Sequence, residues 1–307
     1  MKKAIKSIIF LVSALTLAES PLFSAFSSSD AGTAGGQFLK FSPGARNYGM
    51  AEASLYSSRG AESVNKNPAG IVCAEKTEIL FSYSSLLEGI NYNGLVFSKK
   101  SAENAFAFYF QKISYGEITT RDIYGADTGD ISPSDKVFAA VYAKEVSKNI
   151  KAGISLKKIS SDLGKKASSF AADLGLKYDL NKNEGAAFVL SNIGGGLKYE
   201  AKSDPLPLLF SFGYSRKIYK TILETDIYLP SDNSPWLAFG GEYEKEISKN
   251  TKAYLRSGYR GGVRKAGGLS GMSIGLGLDY YGYSFSYSHT FAGDLSSFDR
   301  FSFSIKF

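Results

Sequence analysis

A side-chain period of two, recurring from residue 76 to residue 307, constrains this chain more than any other feature. The closing run FSFSIKF shows it plainly, with Phe301, Phe303, Ile305 and Phe307 on one parity and Ser302, Ser304 and Lys306 on the other. Successive strand side chains point to opposite faces, so such a run is a strand with one apolar and one polar side. Phe170, Ala172, Leu174, Leu176, Tyr178 and Leu180 alternate with Ala171, Asp173, Gly175, Lys177 and Asp179 in the same way, and Met272 to Tyr280 and Tyr283 to Tyr287 follow suit. A terminal strand frays unless it is tied down. The last strand therefore needs a partner, and its aromatic face needs an apolar medium.

Marking every such run predicts about fourteen strands, near 76–84, 89–99, 104–117, 135–146, 150–161, 168–180, 185–199, 206–217, 219–229, 235–246, 251–261, 269–281, 283–291 and 299–307. The connections alternate in length. Those after even-numbered runs are tight, such as VSKNI and ISKNT, whereas GEITTRDIYGADTGDISPSD, DLGKKASS, GGVRKAGGLS and AGDLSSFD after odd-numbered runs are longer. Short turns on one rim and long loops on the other describe an outer-membrane barrel. The near-repeat KEVSKNIKAG and KEISKNTKAY reads as two equivalent hairpins using one turn chemistry rather than as a duplicated binding element.

What surrounds the sheet follows from what the sequence lacks. No stretch after the amino terminus approaches the roughly 18–20 apolar residues of a membrane helix, but a membrane strand needs only about 9–11 with an apolar outer face. Backbone groups left unpaired in hydrocarbon cost several kcal/mol each, so a sheet there must close on itself. The expected fold is all-β, a transmembrane antiparallel barrel over residues 76–307 whose last strand pairs with the first near Thr77 to Ser84. A soluble secreted β-sandwich is the competing reading. Abundant Phe (22), Tyr (20) and Gly (32) against 8 Pro suit many strands joined by glycine-containing turns.

Residues 1–25 read as a signal peptide: Lys2, Lys3 and Lys6 precede an apolar run from Ile8 to Leu17, with small residues at Ala18, Ser24 and Ala25. The formal charge of +7 falls to +5 once the three lysines and Glu19 leave with it. That charge is too modest and too dispersed for nucleic acid. The single Cys73 excludes an intramolecular disulfide, and one His with one Cys supplies no zinc-type ligand set. His289 lies on the apolar parity beside Ser288 on the opposite face, so they form no nucleophile and base pair. GGG at 194–196 has no following helix and reads as a kink or bulge rather than a phosphate loop. No catalytic residues, metal or cofactor are expected.

Residues 26–75 lack strong alternation and are rich in Gly, Ala, Ser and Asn. A barrel of about fourteen strands is wide enough to need filling or to conduct, and this segment is the expected amino-terminal plug; a disordered extension is the alternative. In NPAG, Asn67 and Pro68 favour a turn that Ala69 and Gly70 complete, either as a structural turn or as a gating element.

GTAGGQFLKFSPGARNYGM at 32–50, with NPAGI at 67–71, resembles the amino-terminal signature of the PorV/PorQ family of outer-membrane proteins, related to the fatty-acid channel FadL. Gly44, Arg46, Asn67, Pro68, Ala69 and Gly70 carry the plug part of the likeness. The ending DRFSFSIKF resembles the family's last strand and an aromatic-ended insertion signal, placing Phe301, Phe303, Ile305 and Phe307 before the barrel-assembly machinery. Ala51-Glu52-Ala53 stands where the family tends toward Gly-Gly-Ala, and Lys66 where an aromatic residue often precedes Asn-Pro-Ala. The resemblance implies a fourteen-stranded barrel with a plug in the bacterial outer membrane, surrounded by lipid and reached after export. It implies a non-enzymatic component of protein export or surface attachment of the type IX kind, with exported cargo or secretion subunits as partners. The alternative is a FadL-like channel for hydrophobic small molecules, which a mixed Ser, Gly, Lys and Asp lumen parity mildly disfavours.

Overall fold

The computed structural model describes residues 28–86, 89–262, 267–293 and 297–307. The signal peptide assigned to 1–25 lies outside them. Among the described residues eighteen strands follow one another: β1 Glu78–Ser85, β2 Asn91–Ser101, β3 Asn104–Ser114, β4 Ile118–Arg121, β5 Asp127–Ile131, β6 Ser134–Ser147, β7 Ile150–Asp162, β8 Lys166–Asn181, β9 Glu184–Gly194, β10 Leu197–Lys198, β11 Ser203–Asp204, β12 Leu209–Ile218, β13 Thr221–Pro230, β14 Trp236–Ser248, β15 Thr251–Arg260, β16 Met272–Tyr280, β17 Tyr283–Phe291 and β18 Ser297–Lys306.

Fourteen of them close into one antiparallel barrel, at the positions where alternation predicted strands. The remaining four form two small hairpins, β4–β5 and β10–β11, within long loops. The seam joins β1 to β18 from Glu78↔Lys306 to Ser85↔Asp299, and Thr77 and Phe307 extend it by exchanging backbone hydrogen bonds of 3.1 and 3.0 Å. Phe301, Phe303 and Phe307 are exposed on the outer face and Ile305 is half-buried, whereas Ser302 and Ser304 are buried inside. The outer wall carries Phe81, Leu95, Phe106, Phe108, Phe138, Leu156 and Phe170, all well exposed and forming the apolar band that a bilayer requires.

Two connections differ from the sequence expectation. DLGKKASS is no long loop: β7 runs to Asp162 and β8 starts at Lys166, because serine and lysine at 165–169 suit a strand end as well as a loop. The strand expected over 185–199 stops at Gly194, where the glycine run cannot supply side-chain packing. Just before it the β8–β9 register shifts, and Asn192 takes a left-handed backbone (φ +64°) while its amide N–H donates to Asp173 Oδ1 at 2.8 Å.

Residues 28–77 fill the interior. They contain little regular structure, a short helix at Ala45–Gly49 and 3₁₀ turns at Gln37–Lys40, Gly60–Ser63 and Pro68–Cys73. Their apolar side chains Phe38, Leu39, Val64, Ile71 and Val72 merge with inward residues of the wall into one buried cluster.

Candidate functional site

The lumen wall carries an apolar patch and a charged sector. On β1 to β7 the inward residues Leu80, Tyr92, Val96, Ala107, Tyr109, Ile113, Val137, Val141 and Ile159 form a buried cluster with apolar side chains of the plug. The mixed lumen expected from sequence is present in this sector too: Gln111, Asp135, Lys157, Asp173 and Lys177 are buried among the apolar residues, and Lys157 pairs with Asp173 at 2.6 Å. Strand order gathers the apolar residues into one patch, and alternation along one strand does not show it.

The charged sector, β13 to β18, holds the plug by charge. Arg46, on the short helix, donates to Glu242 of β14 through Nε at 2.8 Å and Nη2 at 2.9 Å. Arg256 of β15 reaches the same carboxylate through Nε at 2.6 Å. Burial works against the Arg46 charge, but Glu242 more than offsets it and its pKa is raised. Planar, two-pronged pairing of this kind is what arginine does better than lysine. Next to it, Asp226 of β13 accepts the amide N–H groups of Ser54 and Leu55, and Glu224 those of Tyr56 and Ser57. Four consecutive plug amides are thereby satisfied by two wall carboxylates.

Glu52 and Lys66, where this chain differs from the pattern it resembles, meet here. Glu52 pairs with Arg260 at 2.5 Å and with Lys66 at 3.8 Å, and Lys66 stands over the Tyr228 ring. Ala51 and Glu52 both have a left-handed backbone, φ +50° and +70°. Glycine adopts that conformation most readily; here backbone hydrogen bonds from Ala51 to Tyr48 and from Glu52 to Asn47 accompany it. Burial opposes the Glu52 charge, yet Arg260 and Lys66 carry its pKa below the ordinary carboxylate range.

The NPAG turn seats the plug on β7 and β8. Asn67 Oδ1 accepts from Ala69 N–H at 3.0 Å, its Nδ2 donates to the carbonyls of Leu55 (3.0 Å) and Leu176 (3.3 Å), and Pro68 begins the 3₁₀ turn. Gly70 is there for space rather than for backbone freedom: a Cβ would lie 2.5 Å from Ser63 Cβ. Gly44 needs both, with φ +98° and a Cβ position 3.1 Å from Glu62 Cγ.

Sequence reasoning missed the wall side of these contacts. Lumen-parity glycines receive the plug: Gly153 faces Pro68 and Ala69, Gly175 faces Asn67, Gly213 faces Leu55, Gly258 faces Met50, and Gly275 faces Gly49. The signal was visible as glycine recurring on the polar parity, but only the fold shows that these strands line up around one segment. Below the plug, at the short-turn rim, lies a cavity of about 430 Å³ lined by Arg46, Arg59, Glu62, Cys73, Lys217, Lys252 and Lys306 among others. Burial pushes the Glu62 carboxyl up to about 7. Cys73 is a free thiol, with Lys177 Nζ 3.7 Å away. His289 accompanies Tyr287 on Asp299 at the outer surface, 2.9 Å from its carboxylate.

No protein-family model and no curated protein sequence matches the chain. Solved structures do. The toluene transporter TodX of Pseudomonas putida aligns with a TM-score of 0.58 at 12% identity, over 86% of this chain and 97% of that one. The toluene transporter TbuX of Ralstonia pickettii gives 0.56 at 12%, over 86% and 98%. A FadL homologue of Pseudomonas aeruginosa gives 0.52 at 11%, over 86% and 98%. The fold is the FadL-like barrel. Identities this low establish architecture alone, and nothing in them singles out the PorV/PorQ branch.

Proposed function

We propose that this chain is a plugged outer-membrane channel that admits small hydrophobic molecules. The observation that carries the reading is an apolar patch of the lumen wall, where Tyr92, Val96, Tyr109, Ile113, Val137 and Ile159 cluster with the apolar side chains of the plug. Shifting the plug toward its charged side would uncover a greasy surface, which suits passage of an apolar solute and has no purpose in a hydrophilic pore. The fold likeness to toluene transporters supports the same choice. No catalytic step is required.

The test is uptake of toluene into liposomes carrying the folded barrel. Uptake above protein-free vesicles is expected, and it should rise when the plug is loosened through Glu242. Uptake at the protein-free rate in both forms refutes the reading.

The export or attachment reading suggested by the PorV/PorQ resemblance retains one observation in its favour. The β4–β5 hairpin projects Ile123 and Tyr124, 90% and 89% exposed, as a docking point for another protein would. The motif residues themselves seat the plug, so the resemblance accounts for a plug rather than for a cargo. Enrichment of exported proteins on the folded barrel, lost on deleting residues 118–131 while toluene uptake is unchanged, would decide for export.

A further inference from the structure

We infer that the outer wall at the long-loop end of β3, β6, β7 and β8 is a binding site for a phosphorylated glycolipid of the outer leaflet. The inference rests on the membrane location of the barrel and is independent of what the barrel carries.

The register places three outward-facing rows side by side across these four strands. Starting nearest the loops, the first reads Ser114, Ser134, Asp162, Lys166; the second Lys112, Lys136, Ser160, Ser168; the third Phe110, Phe138, Lys158, Phe170. Lys112 and Lys136 are direct cross-strand partners, with Lys158 one row away. Opposed residues have Cβ atoms about 4.5–5.5 Å apart, and like charges so placed repel. None of these three lysine side chains has an ion pair or hydrogen bond among the described residues. Asp162 is the sole carboxylate in the three rows, and it lies 3.9 Å from Lys166. Four outward lysines against one carboxylate leave this sheet face with an excess of positive charge that suits an external anion.

Two further observations identify that anion. A groove of about 500 Å³ opens beside the cluster, where Lys136, Lys166 and Lys198 converge with the hydroxyl residues Ser134, Ser160 and Ser168 and with one carboxylate, Asp162; Lys198 comes from the β10–β11 hairpin. Lysines supply the charge for a phosphate, and the serine hydroxyls beside them can hydrogen-bond the hydroxyls of a sugar that carries it. Directly toward the membrane centre stand Phe138 and Phe170, 57% and 71% exposed, with the Phe110 ring 4.6 Å from that of Phe138. Phosphate-binding groups above and apolar rings below match a lipid that lies upright in a bilayer. Lysine facing hydrocarbon costs roughly 2–4 kcal/mol at the midplane but little near the interface, which agrees with a cluster within three residues of the loop end of β3 and β6.

The experiment titrates the full-length folded barrel in maltoside micelles with bis-phosphorylated lipid A, with its dephosphorylated form, and with inorganic phosphate, read by native mass spectrometry. Lipid A should bind at least about ten-fold tighter than the dephosphorylated form. A Lys112→Gln, Lys136→Gln, Lys158→Gln variant should lose about a hundred-fold in affinity. A Lys148→Gln, Lys249→Gln variant at the other rim should bind as the parent does. If the triple variant does not show heat-modifiable migration, the corresponding Lys→Arg triple, which keeps the charge and should keep binding, and Lys112→Gln alone, which should weaken it, replace it. Equal binding of the dephosphorylated lipid, undiminished binding by the glutamine variants, or inorganic phosphate binding as tightly as lipid A would each overturn the assignment.

Discussion

Glu242→Gln is the substitution that most directly tests how the plug is held. Glu242 is 6% exposed and shared between Arg46 of the plug, 12% exposed, and Arg256 of the wall, 4% exposed. Removing one member of a buried pair leaves an uncompensated charge, about 3–5 kcal/mol. Arg256 remains on the wall whether the plug is seated or not, so only the Arg46 share drives release. Taking about 3 kcal/mol for that share shifts the seated-to-released ratio by about two decades. Arg46→Met removes the plug charge but leaves Glu242 neutralised by Arg256, and should shift it by about one decade, the worth of lost charge-assisted hydrogen bonds. Single-channel recording in planar bilayers reads the open fraction, and heat-modifiable migration on a gel confirms that the barrel itself is intact. An open fraction unchanged in Glu242→Gln, or larger in Arg46→Met than in Glu242→Gln, would refute a plug held by this shared carboxylate.

The pH dependence of plug seating has two limbs. Glu62 has its folded pKa raised from 4.5 to about 7, so its contribution is full below 4.5 and is lost as pH rises toward 7; Glu62→Gln should flatten this limb in a titration of open fraction. Glu52 has its pKa lowered, so its contribution is present above 4.5 and is lost on acidification, a limb that Glu52→Gln should remove. A double-mutant cycle on Glu52→Gln and Lys66→Met should give a coupling of about 1–3 kcal/mol in chemical unfolding, because each single change strands its buried partner; simple additivity would show that the two positions, where this chain differs from the pattern it resembles, do not compensate. Gly153→Val should drive Pro68 off β7 at a cost of about 1–3 kcal/mol, making residues 28–77 protease-sensitive while gel migration of the barrel stays unchanged. Full protease resistance would show that the plug accommodates the side chain.

Much of the barrel was legible in the sequence because alternation is local. Phe301, Phe303 and Phe307 against Ser302 and Ser304 identify a strand and its two faces within seven residues, and repetition of that pattern, with tight and long connections alternating, gives antiparallel order and closure. The plug motifs were visible as turn chemistry, since Asn67-Pro68 and Gly44 restrict their own backbone. Their partners were not. Glu242 lies 196 residues from Arg46 and Asp226 172 from Ser54, and no local period marks an acidic side chain that is to meet a distant arginine or a row of amides. The apolar patch of the lumen wall and the outward lysine cluster were hidden for the same reason. A strand's own residues determine which way each side chain points, but only the closed register decides which inward residues face one another across the lumen and which outward ones stand side by side on the wall.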